Sequence, residues 1–216
     1  MSCVFFDMDG TLVNGDTNDL FFKYLLNIKL IDKKFLEPMV EFNRRYYEGT
    51  LDIKDFIIYA MQPLVGKTMD EINSIIAPCL NDIILKKIRP GALKAIAYHK
   101  QKNDTLVIVS ATVDYMIENV AKHLGIDHVI AAPTLKVDGK LSGKLNGVVP
   151  YQDGKRIRIL EFIKQHNLNL DNATAYGDSV NDIEMFKLCS YRYAIHPTIE
   201  LQQHPYFKEL TTLNWD

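Results

Sequence analysis

The sequence predicts an α/β protein: a doubly wound, Rossmann-like parallel sheet with a helical cap inserted after its first strand. Three observations predict it. A short apolar run, CVFF, opens the chain and ends in a carboxylate, Asp7. A long block follows in which apolar and aromatic residues recur at three- and four-residue spacings, the pattern of amphipathic helices. From Arg89 onward, short β-branched runs alternate with helical patterns, and that alternation implies right-handed crossovers and a parallel sheet with helices on both faces.

In chain order, CVFF is the first strand. The cap block reads as helices in "NDLFFKYLLNIKLI", "FLEPMVEFNRRYYEG", "LDIKDFIIYAM" and "TMDEINSIIAPCLNDIILKKI". The third opens after Gly49 and the fourth after Gly66, where Thr68 and Glu71 have the spacing of a capping box. No convincing β-run interrupts residues 15–88, so they form the cap, and residues 1–14 and 89–216 form the core. "RPGALKAIAYHKQK" is a helix with Pro90 near its start, and "TLVIVS" is a buried strand. "VDYMIENVAKHLG" is a helix closed by Gly125, and "HVIAA" is a strand. "TLKVDGKLSGKL" alternates about Asp138-Gly139, a hairpin signal. "GKRIRILEFIKQHN" and "NDIEMFKLC" are helices around the strand "ATAYG", and "RYAIH" is the last strand.

Composition excludes several function classes. The chain has 216 residues, 47% of them hydrophobic, enough for a sizeable core in one domain with an insertion. A net charge of -2 without a long basic run argues against nucleic acid or an anionic membrane as the main partner. The start lacks the charged-then-apolar pattern of a leader, and no apolar run is long enough to span a bilayer, so a cytoplasmic protein is expected. Cys3, Cys79 and Cys189 are far apart and odd in number, which suits buried thiols in a reducing compartment. The sequence leaves the oligomeric state open.

Ligand sites in open α/β sheets lie beyond the carboxyl ends of the strands. CVFF ends in Asp7, with Asp9 two residues on; TLVIV ends in Ser110-Ala111-Thr112; ATAY ends in Gly177-Asp178, with Asn181 and Asp182 following. Asp7, Asp9 and Asp178 offer hard oxygen ligands, which suit Mg²⁺. A dication also relieves the repulsion between carboxylates placed so close. Ser110 and the amides after it, at an expected helix N-terminus, suit anionic oxygens, and Lys155 adds a point charge. Together these residues suit a phosphoryl group bound with Mg²⁺.

"DMDGT", "VIVSAT", "GKRIR" and "GDSVND" resemble, in order and separation, the four motifs of the haloacid dehalogenase (HAD) superfamily. The cap and the "LKVDGKLSG" hairpin resemble the phosphoserine-phosphatase-like branch, and the texture is similar to bacterial histidinol-phosphatases of that type. The resemblance implies a Mg²⁺-dependent phosphomonoesterase acting on a small phosphate ester through an aspartyl-phosphate. A phosphotransferase or mutase on the same scaffold is the alternative. Asp7 would be the nucleophile and Asp9 the general acid, then base. Ser110, Ala111, Lys155 and Asn181 would hold the phosphoryl group. Asp7, the Asp9 carbonyl and Asp178 would ligate the metal, and Asp182 would support its waters or orient Lys155. A dehalogenase needs neither Asp9 nor Asp178, and a phospho-receiver carries no such cap.

The chain departs from phosphoserine phosphatases in one respect. Those carry an arginine in the helix after a Gly-x-Leu turn, but here Gly49-Thr50-Leu51 leads into "DIKDFIIYAM", which has none. Asp16 remains to meet an ammonium, and Arg44 or Arg45 is a candidate replacement for the missing arginine. The expected substrate is an amino-bearing phosphate ester without a carboxylate, such as histidinol phosphate, in preference to phosphoserine.

Overall fold

The computed structural model describes residues 2–216, the side chain of Tyr47 excepted. Strand β1 (Cys3–Phe6) is buried along its whole length, as a central strand covered on both faces requires. The chain then leaves the sheet for α1 (Thr17–Asn27), α2 (Lys33–Leu36), α3 (Pro38–Tyr47), α4 (Ile53–Met61) and α5 (Met69–Cys79). Asp16 caps α1 by accepting from the Asp19 amide at 3.0 Å, and Thr68 with Glu71 forms the capping box at the start of α5. One π turn, Leu80–Ile84, follows α5 before the chain returns at Arg89.

The alternating half begins with α6 (Pro90–Gln101), β2 (Thr105–Val113), α7 (Asp114–Leu124) and β3 (His128–Ala132). Gly125 closes α7 in the left-handed conformation, at φ 61°. The hairpin of β4 (Thr134–Val137) and β5 (Lys140–Leu145) turns at Asp138-Gly139, both at positive φ. Then come α8 (Asp153–Gln165), β6 (Thr174–Gly177), α9 (Ile183–Phe186), β7 (Tyr191–Ile195), α10 (Ile199–Gln203) and β8 (Thr211–Leu213).

The six-stranded sheet is parallel in every pairing, in the order β3-β2-β1-β6-β7-β8. The strand order therefore reverses at β1, the switch point where such sheets open a crevice. Two readings from the sequence change. The sheet does not end at β7: the three residues of β8 add an outer parallel strand too short to carry a pattern. The helix expected from Asn181 begins instead with a 3₁₀ turn, Val180–Asp182, before α9.

One continuous hydrophobic cluster joins the inserted helices to the sheet. Phe21, Leu25, Ile72 and Ile76 pack in it with Met8, Leu12 and Ile117. By contrast, no described residue from Asp32 to Phe56 is buried, so α2, α3 and the start of α4 overhang this floor. The hairpin is tied to the insertion by backbone bonds from Gly66 N to Leu141 O (2.8 Å) and from Leu141 N to Lys67 O (2.9 Å). At the return point, the buried Arg89 donates to the Gly10 carbonyl at 3.3 Å and pairs with Asp216.

A buried polar chain locks α6 to the sheet. His99 Nδ1 lies 2.9 Å from Asp104 Oδ2, and His99 Nε2 lies 2.9 Å from the Tyr176 hydroxyl. Tyr176 in turn stacks on Phe6, with ring centroids 4.9 Å apart. Removing the imidazole leaves a cavity and two buried groups without their partner. His99→Ala should therefore lower unfolding free energy by about 2–4 kcal/mol, read from urea unfolding curves.

Candidate active site

Asp7, Ser110 and Asp178 come together because β1 lies between β2 and β6. Asp7 directly follows β1, and its amide donates to Tyr176 O at 2.9 Å, so its backbone is still held by the sheet. Asp7 is 8% exposed, and its carboxylate accepts from Lys155 Nζ at 2.6 Å. Lys155 reaches it from the first turn of α8. The same ammonium donates to Asp182 Oδ1 at 2.6 Å and to Val109 O at 3.2 Å, which uses all three of its N–H bonds. Asp182 is fully buried, and its second oxygen accepts from the amides of Asp178 and Ser179, both at 3.0 Å. Asp182 thus braces the turn that carries Asp178 and holds Lys155 in line.

Carboxylate oxygens of Asp7, Asp178 and Asp182 lie within 4.8 Å of one another. Gly10 lets the loop after β1 close onto them. It adopts φ +79°, and a Cβ there would stand 2.2 Å from Asp178 Oδ2. Asp178 has no ion pair among the described residues; its neighbour is the Thr11 hydroxyl, 3.5 Å away. Burial pushes the Asp7 carboxyl up to about 7; Lys155 opposes the shift, and Asp182 adds to it. Asp178 is pushed well above the usual carboxylate range by burial, then by Asp7 and Asp182. Burial works against the charge on Lys155, but Asp182 and Asp7 outweigh it and hold the ammonium firmly protonated. One cation is thus set against three carboxylates, and the all-oxygen donor set fits a hard divalent cation.

Asp9 sits in a different environment. Its Oδ1 accepts from the Thr17 amide at 2.6 Å and from the Thr17 hydroxyl, and its Oδ2 from the Thr112 hydroxyl at 3.0 Å. Burial raises this carboxyl well above its ordinary value, and Asp16 and Asp7 raise it further, against the bonds from Thr17 and Thr112. Both threonine hydroxyls can also accept, so the pocket accommodates the protonated form. The sequence reading singled out neither Thr17 nor Thr112 for a role. The signal available was a threonine in the strand run "SAT" and another directly after the Asp16 cap.

Ser110 is buried, but not at a helix start. The strand continues through a register irregularity to Val113, which pairs with Ala132, and α7 begins at Asp114. The Thr112 amide, expected to face an anion, instead donates to Ser110 Oγ at 3.1 Å. Ala111 lines the cleft beside Ser110. Asn181 also lines it, and its Nδ2 donates to the hydroxyl of Tyr46 on α3 at 2.9 Å.

The cleft has a volume of about 470 Å³ and runs from Asp7 to the underside of the overhang. Asp16 and Asp19 line it, as do Phe42, Tyr46 and Phe56. Arg44 and Arg45 do not line it. Arg44 is paired with Glu41 (2.6 Å) and Glu48 (2.7 Å) on the exposed face of α3, and Arg45 donates to Thr50 O at 3.3 Å. Helical periodicity explains this, because α3 turns the flanking residues Phe42, Asn43 and Tyr46 toward the cleft. Among the described residues lining it, Lys155 is the one lysine or arginine, against Asp7, Asp9, Asp16, Asp19 and Asp178.

Comparison with known proteins agrees with this architecture. A protein named histidinol-phosphatase from Neisseria meningitidis serogroup C (strain 8013) is 27% identical over 215 residues, covering 97% of each chain. A phosphoserine phosphatase from Methanocaldococcus jannaschii is 26% identical, over 88% of this chain and 83% of its own. The crystal structure of a protein of unknown function from Bordetella pertussis Tohama I superposes over the full length of both chains with a TM-score of 0.87 at 20% identity. The family model for haloacid dehalogenase-like hydrolases matches residues 4–187. The chain belongs to the haloacid dehalogenase-like hydrolases and, within them, is a phosphatase.

Proposed function

We propose that this phosphatase hydrolyses a small cytoplasmic phosphomonoester in two steps at Asp7, with Mg²⁺ bound. The observation that carries the reading is the contrast between Asp7 and Asp9. Asp7 accepts from the Lys155 ammonium, whereas Asp9 accepts from the Thr17 amide and the Thr17 and Thr112 hydroxyls and has no cation bonded to it. Two carboxyl groups in such different surroundings suit a nucleophile and an acid.

In the first step an Asp7 oxygen attacks phosphorus, and the bond to the alcohol oxygen breaks as Asp9 gives that oxygen its proton. In the second, Asp9, now a carboxylate, takes a proton from water; the water oxygen bonds to phosphorus, and Asp7 leaves unchanged. Ser110, the Ala111 amide and Asn181 hold the phosphoryl oxygens through both steps, and Lys155 adds its charge, turning the N–H now on Val109 O toward one of them. Asp7, Asp178 and the Asp9 carbonyl would hold Mg²⁺, with Asp182 behind them, and the bound cation would supply charge against the phosphoryl oxygens.

The acidic lining of the cleft favours a cationic substrate. Residues 15–88 act as the cap that selects it: Asp16 and Asp19 meet an amine, and Phe42 and Phe56 meet its apolar part. A carboxylate there would be desolvated without a partner, because Arg44 and Arg45 face away. The ester is therefore an amino-alcohol phosphate such as histidinol phosphate, in keeping with the named activity of the Neisseria relative. Working in the cytoplasm suits three free, buried cysteines.

Asp7→Asn should lower phosphate release at least about a thousandfold in a chain that is still folded by far-UV circular dichroism at the assay temperature, since an amide is a poor nucleophile and a poor metal ligand. Residual turnover within tenfold of the parent would rule out Asp7 as the attacking group. Chelation should abolish phosphate release and Mg²⁺ should restore it; full activity after exhaustive chelation contradicts the metal role. Comparing kcat/KM for histidinol phosphate and phosphoserine should favour the former, and a tenfold preference for phosphoserine would overturn the substrate assignment.

A further inference from the structure

The overhang reaches the catalytic half of the cleft through a hydrogen bond between Tyr46 on α3 and Asn181, in the turn between Asp178 and Asp182. The Asn181 amide uses one end for this bond. Its other end, Oδ1, is buried and has no hydrogen-bond partner among the described residues. A buried amide oxygen without a partner is unfavourable, and it marks a place where the native complex supplies something more.

The amide has one easy adjustment. The Asn181 backbone is fixed, its N–H donating to Ser179 Oγ at 3.3 Å inside the turn that Asp182 braces. A half-turn about the last side-chain bond only exchanges the oxygen and nitrogen ends. A phenol hydroxyl both donates and accepts, so Tyr46 can bond to either end. After the half-turn, Tyr46 donates to Oδ1, and the Asn181 N–H bonds occupy the buried position. There they need an acceptor, and a phosphoryl oxygen is one.

We propose that Tyr46 is a positioning residue that acts through Asn181. With the overhang seated, its hydroxyl donates to the Asn181 oxygen and turns the amide so that Nδ2 donates to a phosphoryl oxygen. With the overhang lifted, that orientation is not held. Seating of the 32–56 overhang and binding of phosphate are thereby linked, each favouring the other. The proposal rests on the phosphomonoesterase reading for its ligand. Tyr46 is 39% exposed, so loss of its hydroxyl alone removes little packing.

The test uses Tyr46→Phe, Asn181→Ala, their combination and Asn181→Asp in the full chain with Mg²⁺. Inorganic phosphate is the probe. Its binding is read by calorimetry, which needs no turnover, and its inhibition is read with p-nitrophenyl phosphate as substrate. Tyr46→Phe and Asn181→Ala should each weaken phosphate binding about tenfold and raise KM similarly, as for loss of one charge-assisted hydrogen bond. The double variant should be no weaker than Asn181→Ala alone, because Tyr46 has nothing left to orient. Asn181→Asp keeps an oxygen for Tyr46 but has no N–H, so it should bind phosphate no better than Asn181→Ala. Tyr46→Phe binding phosphate within twofold of the parent overturns the proposal. So does a double variant in which the two losses multiply, or parent-like binding in Asn181→Asp. A parent with no Asp7-dependent phosphate release overturns the hydrolytic reading instead, while the binding comparison still decides the role of Tyr46.

Discussion

A single ammonium between two buried carboxylates organises this protein. Lys155 Nζ lies 2.6 Å from Asp7 and 2.6 Å from Asp182, with almost no exposure to solvent. Removing one partner of such a pair costs about 3–5 kcal/mol, because it strands the other charge. Much of the local backbone serves to deliver this lysine. Gln152 adopts φ 49°, and the Gly154 amide bonds to Tyr151 O at 2.8 Å. A Cβ at Gly154 would stand 2.0 Å from Val149 O, so only glycine lets α8 begin so close to the loop that precedes it.

The lysine does not neutralise the edge it serves. A parallel sheet sends its functional ends to one side, and reversal of strand order at β1 brings Asp7 and Asp178 to neighbouring strand ends. The remaining negative charge is handled differently at each carboxylate. Asp182 is saturated by N–H donors, Asp9 is bracketed by Thr17 and Thr112, and Asp178 is left without a cation among the described residues. The same excess of negative charge extends along the cleft lining through Asp16 and Asp19.

Packing divides the inserted helices by what they can do. Helices α1 and α5 share the core cluster with β1 and α7, so they cannot move without exposing apolar surface. The segment from Asp32 to Phe56 contributes no buried residue among those described, packs on the core only through half-buried side chains such as Phe35, Met39 and Phe56, and lines the cleft with Phe42, Tyr46 and Phe56. Segments with less buried apolar surface open at lower free-energy cost.

The sequence by itself determined the α/β class, the helical insertion, and the strand ends at Asp7 and Asp178. These follow from local periodicity, and alternation of strand and helix leaves few ways to pack. It also determined the capping box at Thr68 and the hairpin at Asp138-Gly139, where a few adjacent residues set the backbone. Tertiary structure decided the rest. Ser110 lies within a strand because Val113 finds Ala132 across the sheet, a pairing that local pattern does not contain. The short β8 exists only because β7 offers an edge to join. Arg44 and Arg45 lie in the right helix but on its outer face, since Glu41 and Glu48 hold Arg44 there and Thr50 accepts from Arg45. Thr112 meets Asp9 across 103 residues, and Tyr46 meets Asn181 across 135. Such contacts are chosen by how whole elements pack, and no short stretch of sequence carries that information.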